Sequence, residues 1–109
     1  SVKEFNGIIN NKDWEIVILD VRMPHEVLES SIQGAETIPL QEIANMESIK
    51  RIKQLTEKKD LFVVCKKGRR SAKAIQILKR HGIEGTNVEG GMDAWTAEIK
   101  LQQNSDCNK

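Results

Sequence analysis

The chain opens with apolar residues at helical spacing, Val2, Phe5, Ile8 and Ile9, ahead of an Asn10–Asn11 pair that suits a helix end. Further on stand two short runs rich in β-branched residues, "EIVILDVR" and "DLFVVC". Each is too compact for a helix and apolar without alternation, which predicts strands covered on both faces and hence a parallel sheet. Between them Pro24 can open a short helix "PHEVLES", Gly34 breaks it, and "AETIP" predicts a third strand closed by Pro39. From Leu40 onward Ile43, Met46, Ile49, Ile52 and Leu55 recur at a spacing of three, a helical stripe in one piece or two. Ser71 is placed to cap a further helix, "SAKAIQILKRHG", with Ala74, Ile77 and Leu78 inward and Gly82 as its stop. "GTNVEGG" supplies a last short strand and "MDAWTAEIK" a closing helix, with Gly90 and Gly91 allowing a tight turn or close backbone packing beside it. The tail "LQQNSDCNK" carries no period and is expected to fray.

Alternating strands and helices predict one three-layer α/β domain over residues 1–100, with 101–109 a flexible extension. A length of 109 residues suits a single core. In such sheets sites gather at the carboxyl ends of strands, and both Asp20 and Cys65 fall there. The formal net charge of +1 gives no ground for a nucleic-acid or membrane partner. No apolar run approaches the ~20 residues that span a bilayer, and the first residues lack a signal peptide's pattern. Cys65 and Cys107 are far apart and differently surrounded, unlike a disulfide scaffold, so a reducing cytoplasm is the expected setting. A first residue of Ser1 fits a processed chain or a piece of a longer polypeptide.

Charge is clustered in one place. In "FVVCKKGRRSAKA" a cysteine ends a strand and is followed at once by Lys66, Lys67, Gly68, Arg69 and Arg70, with Ser71 at the next helix start. Glycine lets the backbone curl with positive φ so that successive N–H groups face inward as an anion nest. A helix N-terminus and the cations add positive potential, and together they favour thiolate over thiol. A buried structural cysteine has no use for such neighbours, so Cys65 is the candidate nucleophile, with residues 66–71 stabilising what it carries. Arg69 and Arg70 have the forked donors that bind a sulfonate.

Spacing separates two chemistries. Tyrosine and dual-specificity phosphatases need Cys-x5-Arg, but Ser71 stands where that arginine would be and Arg70 comes one residue early. A shorter cradle suits a single sulfur better than a tetrahedral phosphate or arsenate. A thiolate attacks the sulfane sulfur of a donor directly and forms a persulfide, without a partner base. Asp20 and Arg22 could orient the loop or a substrate. His25 and His81 stand without a ligand cluster at zinc spacing, so no metal and no cofactor beyond the persulfide is expected. Trp14 and Trp95 read as core or interface aromatics, and Cys107 as an incidental thiol able to resolve a persulfide.

The ordered series "ILDVRMPHE", "IQGAETIPL", "CKKGRRSAKA" and "GGMDAW" resembles the rhodanese family of sulfurtransferases, from about Glu15 to Ile99. The resemblance implies a parallel five-stranded sheet flanked by helices and a catalytic cysteine in a six-residue loop, Cys65 to Arg70. It also implies transfer of sulfane sulfur from thiosulfate or a protein persulfide to cyanide, a thiol or a protein acceptor, with Asp20 and Arg22 holding structure. "DVRMPHE" and "IPLQEI" are similar to rhodanese domains fused to the adenylyltransferases of molybdopterin and thiamine sulfur-carrier pathways, which implies a carrier protein or fused adenylyltransferase as partner. Ser31 and Thr37 depart from the histidine and asparagine common in the family, which bears on substrate fit. Two other readings stay open: a docking module that uses the basic rim without turnover, and a phosphatase or arsenate reductase.

Overall fold

The computed structural model describes residues 2–11 and 15–107, with side chains through Ile99. Trp14 and the side chain of Cys107 lie outside the described residues. Helix α1 (Val2–Ile9) leads into strand β1 (Ile16–Asp20), helix α2 (Pro24–Glu29), strand β2 (Glu36–Thr37) and a 3-10 turn (Leu40–Glu42). Helix α3 (Met46–Thr56), strand β3 (Asp60–Val64), helix α4 (Arg69–Arg80), strand β4 (Thr86–Asn87) and helix α5 (Gly91–Cys107) complete it.

The strands form one parallel sheet in the order β2-β1-β3-β4. Both long runs alternate across it. Leu61, Val63 and Cys65 of the β3 segment, with Leu19 and Val21, join Ile43, Ile49, Ile52, Ala74 and Leu78 on the α3–α4 side. Phe62 and Val64, with Ile18, meet Phe5, Ile32, Val88 and Met92 on the α1–α5 side. Burial on both faces is why these runs are continuously apolar, as a covered parallel sheet requires. Phe5 fixes α1 to the sheet and to α5, with ring centroids 5.4 Å from Phe62 and 5.6 Å from Trp95. Trp95 is therefore a core aromatic.

Three expectations are corrected. The described residues give four strands, not five; the runs read from the residues number the same four, and the fifth came only from the family resemblance. Helix α4 begins at Arg69 with Gly68 as its N-cap at φ 101°, so Ser71 lies inside the first turn and is not the cap. Glycine can hold that left-handed position where a serine would be strained. Helix α5 continues to Cys107 instead of ending near Lys100; "LQQNSDC" lacks an apolar period but also lacks the glycine or proline that would stop a helix.

The chain leaves central β1 for β2 on one side, then crosses to β3 on the other. Asp20 is in register with Val64 across that switch point. Ligand sites of open α/β sheets lie where neighbouring connections diverge in this way.

Candidate active site

Cys65 follows the last residue of β3 and sits at the mouth of this divergence. Its carbonyl accepts the Met92 N–H at 2.8 Å and the Lys66 carbonyl accepts the Asp93 N–H at 3.0 Å, so the start of α5 holds the outgoing backbone. Gly91 makes this approach feasible. Its φ is +57°, and a Cβ there would run into the Cys65 and Lys66 carbonyl oxygens.

The loop then turns back over the sulfur. The Gly68 N–H donates to Cys65 Sγ at 3.0 Å, and Ser71 Oγ lies 3.3 Å from Sγ. Burial pushes the thiol pKa up, but the Ser71 hydroxyl and the amides of Ser71, Gly68 and Lys67 outweigh it and leave Cys65 below the ordinary thiol range. The anion nest expected from the glycine and the helix start is thus formed around sulfur. Cys65 is nevertheless only 1% exposed and shares an apolar cluster with Val63 and Ala74, so its inner side faces hydrocarbon and its outer side faces amides. A donor must reach Sγ from the loop side.

The predicted loop cations separate into two kinds. Lys66, Lys67 and Arg69 are exposed and form a rim. Arg70 is committed: its guanidinium donates to both carboxylate oxygens of Glu26, at 2.6 and 2.8 Å. Those hydrogen bonds hold the Glu26 carboxyl down at about 2, and the same pairing raises Arg70. Glu26 also accepts the Met23 N–H at 3.1 Å, which closes the first turn of α2. The pair ties α2 to the start of α4.

Asp20 and Arg22, both buried, form a bidentate pair with a shortest contact of 2.8 Å. Arg22 also donates to the Glu26 and Ser30 carbonyls at 3.2 and 2.6 Å. Their geometry is that of a tie between β1 and α2 beneath the loop. His25 and His81 are exposed, away from the sulfur's contacts. Among the described residues no group of three or more His, Cys, Asp or Glu could hold a metal ion, and no helix is long and apolar enough to cross a membrane.

Two site residues escaped the sequence reading. Glu26 gave no signal, since its partner lies 44 positions away. Asn87 did give one, as a polar residue at the carboxyl end of β4, the same class of position as Asp20 and Cys65. It accepts the Ser71 hydroxyl at 2.5 Å and donates to the Gly68 carbonyl at 3.0 Å.

Set beside known proteins, residues 1–98 match the rhodanese-like domain. The chain is 34% identical over 88 residues to YtwF of Bacillus subtilis (strain 168), provisionally named a sulfurtransferase, with 81% of each chain covered. It is 32% identical over 116 residues to "Adenylyltransferase and sulfurtransferase MOCS3" of Arabidopsis thaliana, covering 91% of this chain but only 24% of that protein. Among solved structures, a rhodanese-like domain protein from Staphylococcus aureus is 31% identical with a TM-score of 0.73, covering 86% of both chains. A rhodanese-related protein from Thermoplasma volcanium is 31% identical with a TM-score of 0.74, covering 89% of this chain and 88% of that one. A cysteine cradled by strand-to-helix amides in an open parallel α/β sheet and a match over nearly the whole chain agree, and this chain belongs to the rhodanese-like domain family. Its sulfurtransferase-named relatives support a role in sulfur transfer.

Proposed function

We propose that this domain is a sulfurtransferase that carries sulfane sulfur on Cys65. The observation that carries the reading is the loop folded over Sγ, with the Gly68 amide donating to it at 3.0 Å and Ser71 Oγ 3.3 Å away; the loop's amides and hydroxyl outweigh burial and favour a thiolate. With thiosulfate, the thiolate attacks the outer sulfur, a new S–S bond forms on Cys65, and sulfite leaves with the electron pair of the old one. A thiophilic acceptor, cyanide in the assay, then attacks the terminal sulfur and Cys65 departs as thiolate. The inward amides stabilise negative charge on sulfur at both stages. The exposed Lys66, Lys67 and Arg69 attract an anionic donor, whether thiosulfate or an acidic carrier protein. The likeness to a MOCS3 protein supports an adenylyltransferase domain as the physiological partner.

Thiosulfate with cyanide is expected to yield thiocyanate, and Cys65→Ser to abolish it. No turnover with any sulfane donor would contradict the reading. Burial of Cys65 to 1% exposure favours a second reading, in which the exposed cations dock an acidic protein without turnover. That reading requires Cys65→Ser to keep full affinity and charge reversal at Lys66 and Lys67 to abolish it. Phosphoryl chemistry is disfavoured because Ser71, fully buried and bound to Asn87, occupies the place of the phosphate-binding arginine.

A further inference from the structure

Asn87 belongs to no loop cation and no nucleophile, yet it touches two groups that bracket the sulfur. The Gly68 carbonyl can only accept, so the amide end 3.0 Å from it is Nδ2. Oδ1 must then face Ser71, 2.5 Å away. Oδ1 in turn can only accept, so the single hydroxyl proton of Ser71 points to Asn87. Ser71 Oγ therefore turns a lone pair toward Cys65 Sγ at 3.3 Å, a contact in which either atom can donate. A thiol satisfies this arrangement, as S–H donating to Oγ. A thiolate does not.

We propose that Asn87 is a positioning residue that competes with Cys65 for the Ser71 proton and so restrains ionisation of the nucleophile. When the Cys65 proton leaves to solvent, the Ser71 O–H must turn from Asn87 Oδ1 to the sulfur. Two oxygen lone pairs then confront each other at Asn87, and the amide cannot rotate to relieve them without dropping the Gly68 carbonyl. Removing Asn87 lifts that cost. Gly68 keeps a second partner, since the Ala72 N–H also donates to its carbonyl at 3.3 Å, so the loop retains a hold without the amide.

Charged and titratable groups on the surrounding elements are Asp20 and Arg22 at the end of β1, His25, Glu26 and Glu29 on α2, Lys73 on α4, Glu89 after β4 and Asp93 on α5, of which His25, Glu26, Glu29 and Asp93 share a pocket with Arg22 and Lys66. Lys66, Lys67, Arg69 and Arg70 belong to the loop and the start of α4, and Arg70 feels both Cys65 and Asp20. None of these changes between the variants below, so differences among them report the Ser71–Asn87 pair.

The test is the pH dependence of Cys65 alkylation by iodoacetamide, read by mass on the Cys65 peptide so that Cys107 does not interfere. Asn87→Leu, close in shape and unable to accept a proton, is expected to move the midpoint down by about one pH unit, the scale of one hydrogen bond to a charged group. Ser71→Ala is expected to move it up, and adding Asn87→Leu to Ser71→Ala to move it no further. A midpoint unchanged or raised in Asn87→Leu, or a full downward shift persisting in the double variant, overturns the proposal; a merely structural Asn87 would loosen the loop and raise the midpoint. If Asn87→Leu fails to fold, Asn87→Ala is held to the same criterion, and failure of both makes Asn87 structural and overturns it as well. The proposal rests on Cys65 as the reacting thiol, but alkylation needs no sulfur donor. Absent thiocyanate formation with a lowered midpoint would sink the sulfurtransferase reading alone, whereas thiocyanate formed with an unmoved midpoint would sink this one alone.

Discussion

At Cys65 burial and hydrogen bonding oppose each other, and the amides and hydroxyl of the loop prevail. The same contest is settled beneath it by pairing, since Asp20 and Arg22 are almost fully buried and hydrogen-bonded to each other and to nearby backbone. Arg22→Ala leaves a carboxylate buried without its partner, and is expected to cost about 3–5 kcal/mol in urea unfolding. Arg22→Lys recovers only part, because a point charge cannot reproduce the fork. A loss below about 1 kcal/mol in Arg22→Ala would contradict the structural role given to the pair. Glu26 adds an acid-dependent element. Its folded pKa, about 2, lies below the unfolded value, so the stability it supplies is complete above that unfolded value and lost as pH falls toward 2. Glu26→Gln should flatten that part of the stability–pH curve, by about 1 kcal/mol for a partly exposed bidentate pair. A curve with the same acid slope as the parent would refute the assignment. The structural role of Asp20 and Arg22 was expected from the family resemblance, whereas Arg70 was legible as a cation but not as one held by Glu26, because a side-chain contact across 44 positions leaves no period in the sequence.

Elements were legible to the extent that one physical signal dominated each. The β1 and β3 runs are apolar on successive positions, Ile16 to Leu19 and Leu61 to Val64, because both faces are covered, and the glycine and cations after Cys65 marked the turn into α4. Ser71 looked like a cap because serine usually is one at a helix start, yet here its hydroxyl is held by Asn87 and faces the sulfur, and the cap is a left-handed Gly68. The expected close packing at Gly91 is present, and it gives a prediction at this scale. Gly91→Ala would force a Cβ into the backbone that carries Cys65 and Lys66, at a positive φ that alanine resists. It is expected to destabilise by about 2 kcal/mol or more and to slow Cys65 alkylation with it, whereas Gly7→Ala, inside helix α1 with nothing within 4 Å, should leave alkylation unchanged and stability equal or slightly higher. Parent-like melting and alkylation in Gly91→Ala would show that α5 does not shape the loop.

For the whole molecule, the sheet order among the described residues places the change of direction between β1 and β3, and the nucleophile, its ion-pair support and its proton-sharing serine all converge there. The four strands follow from runs that any covered sheet must show, while a fifth had no such run behind it and came from likeness alone. The chain spans 24% of the Arabidopsis MOCS3 protein and 81% of YtwF, so the domain is the unit that the experiments must address. The most direct of them is intact mass after incubation with thiosulfate, followed by mapping of the modified peptide. One added sulfur on Cys65, removed by cyanide and absent in Cys65→Ser, is the expected result. An unchanged mass, or sulfur taken up equally by Cys65→Ser, would contradict the assignment of Cys65 as the sulfur-carrying group.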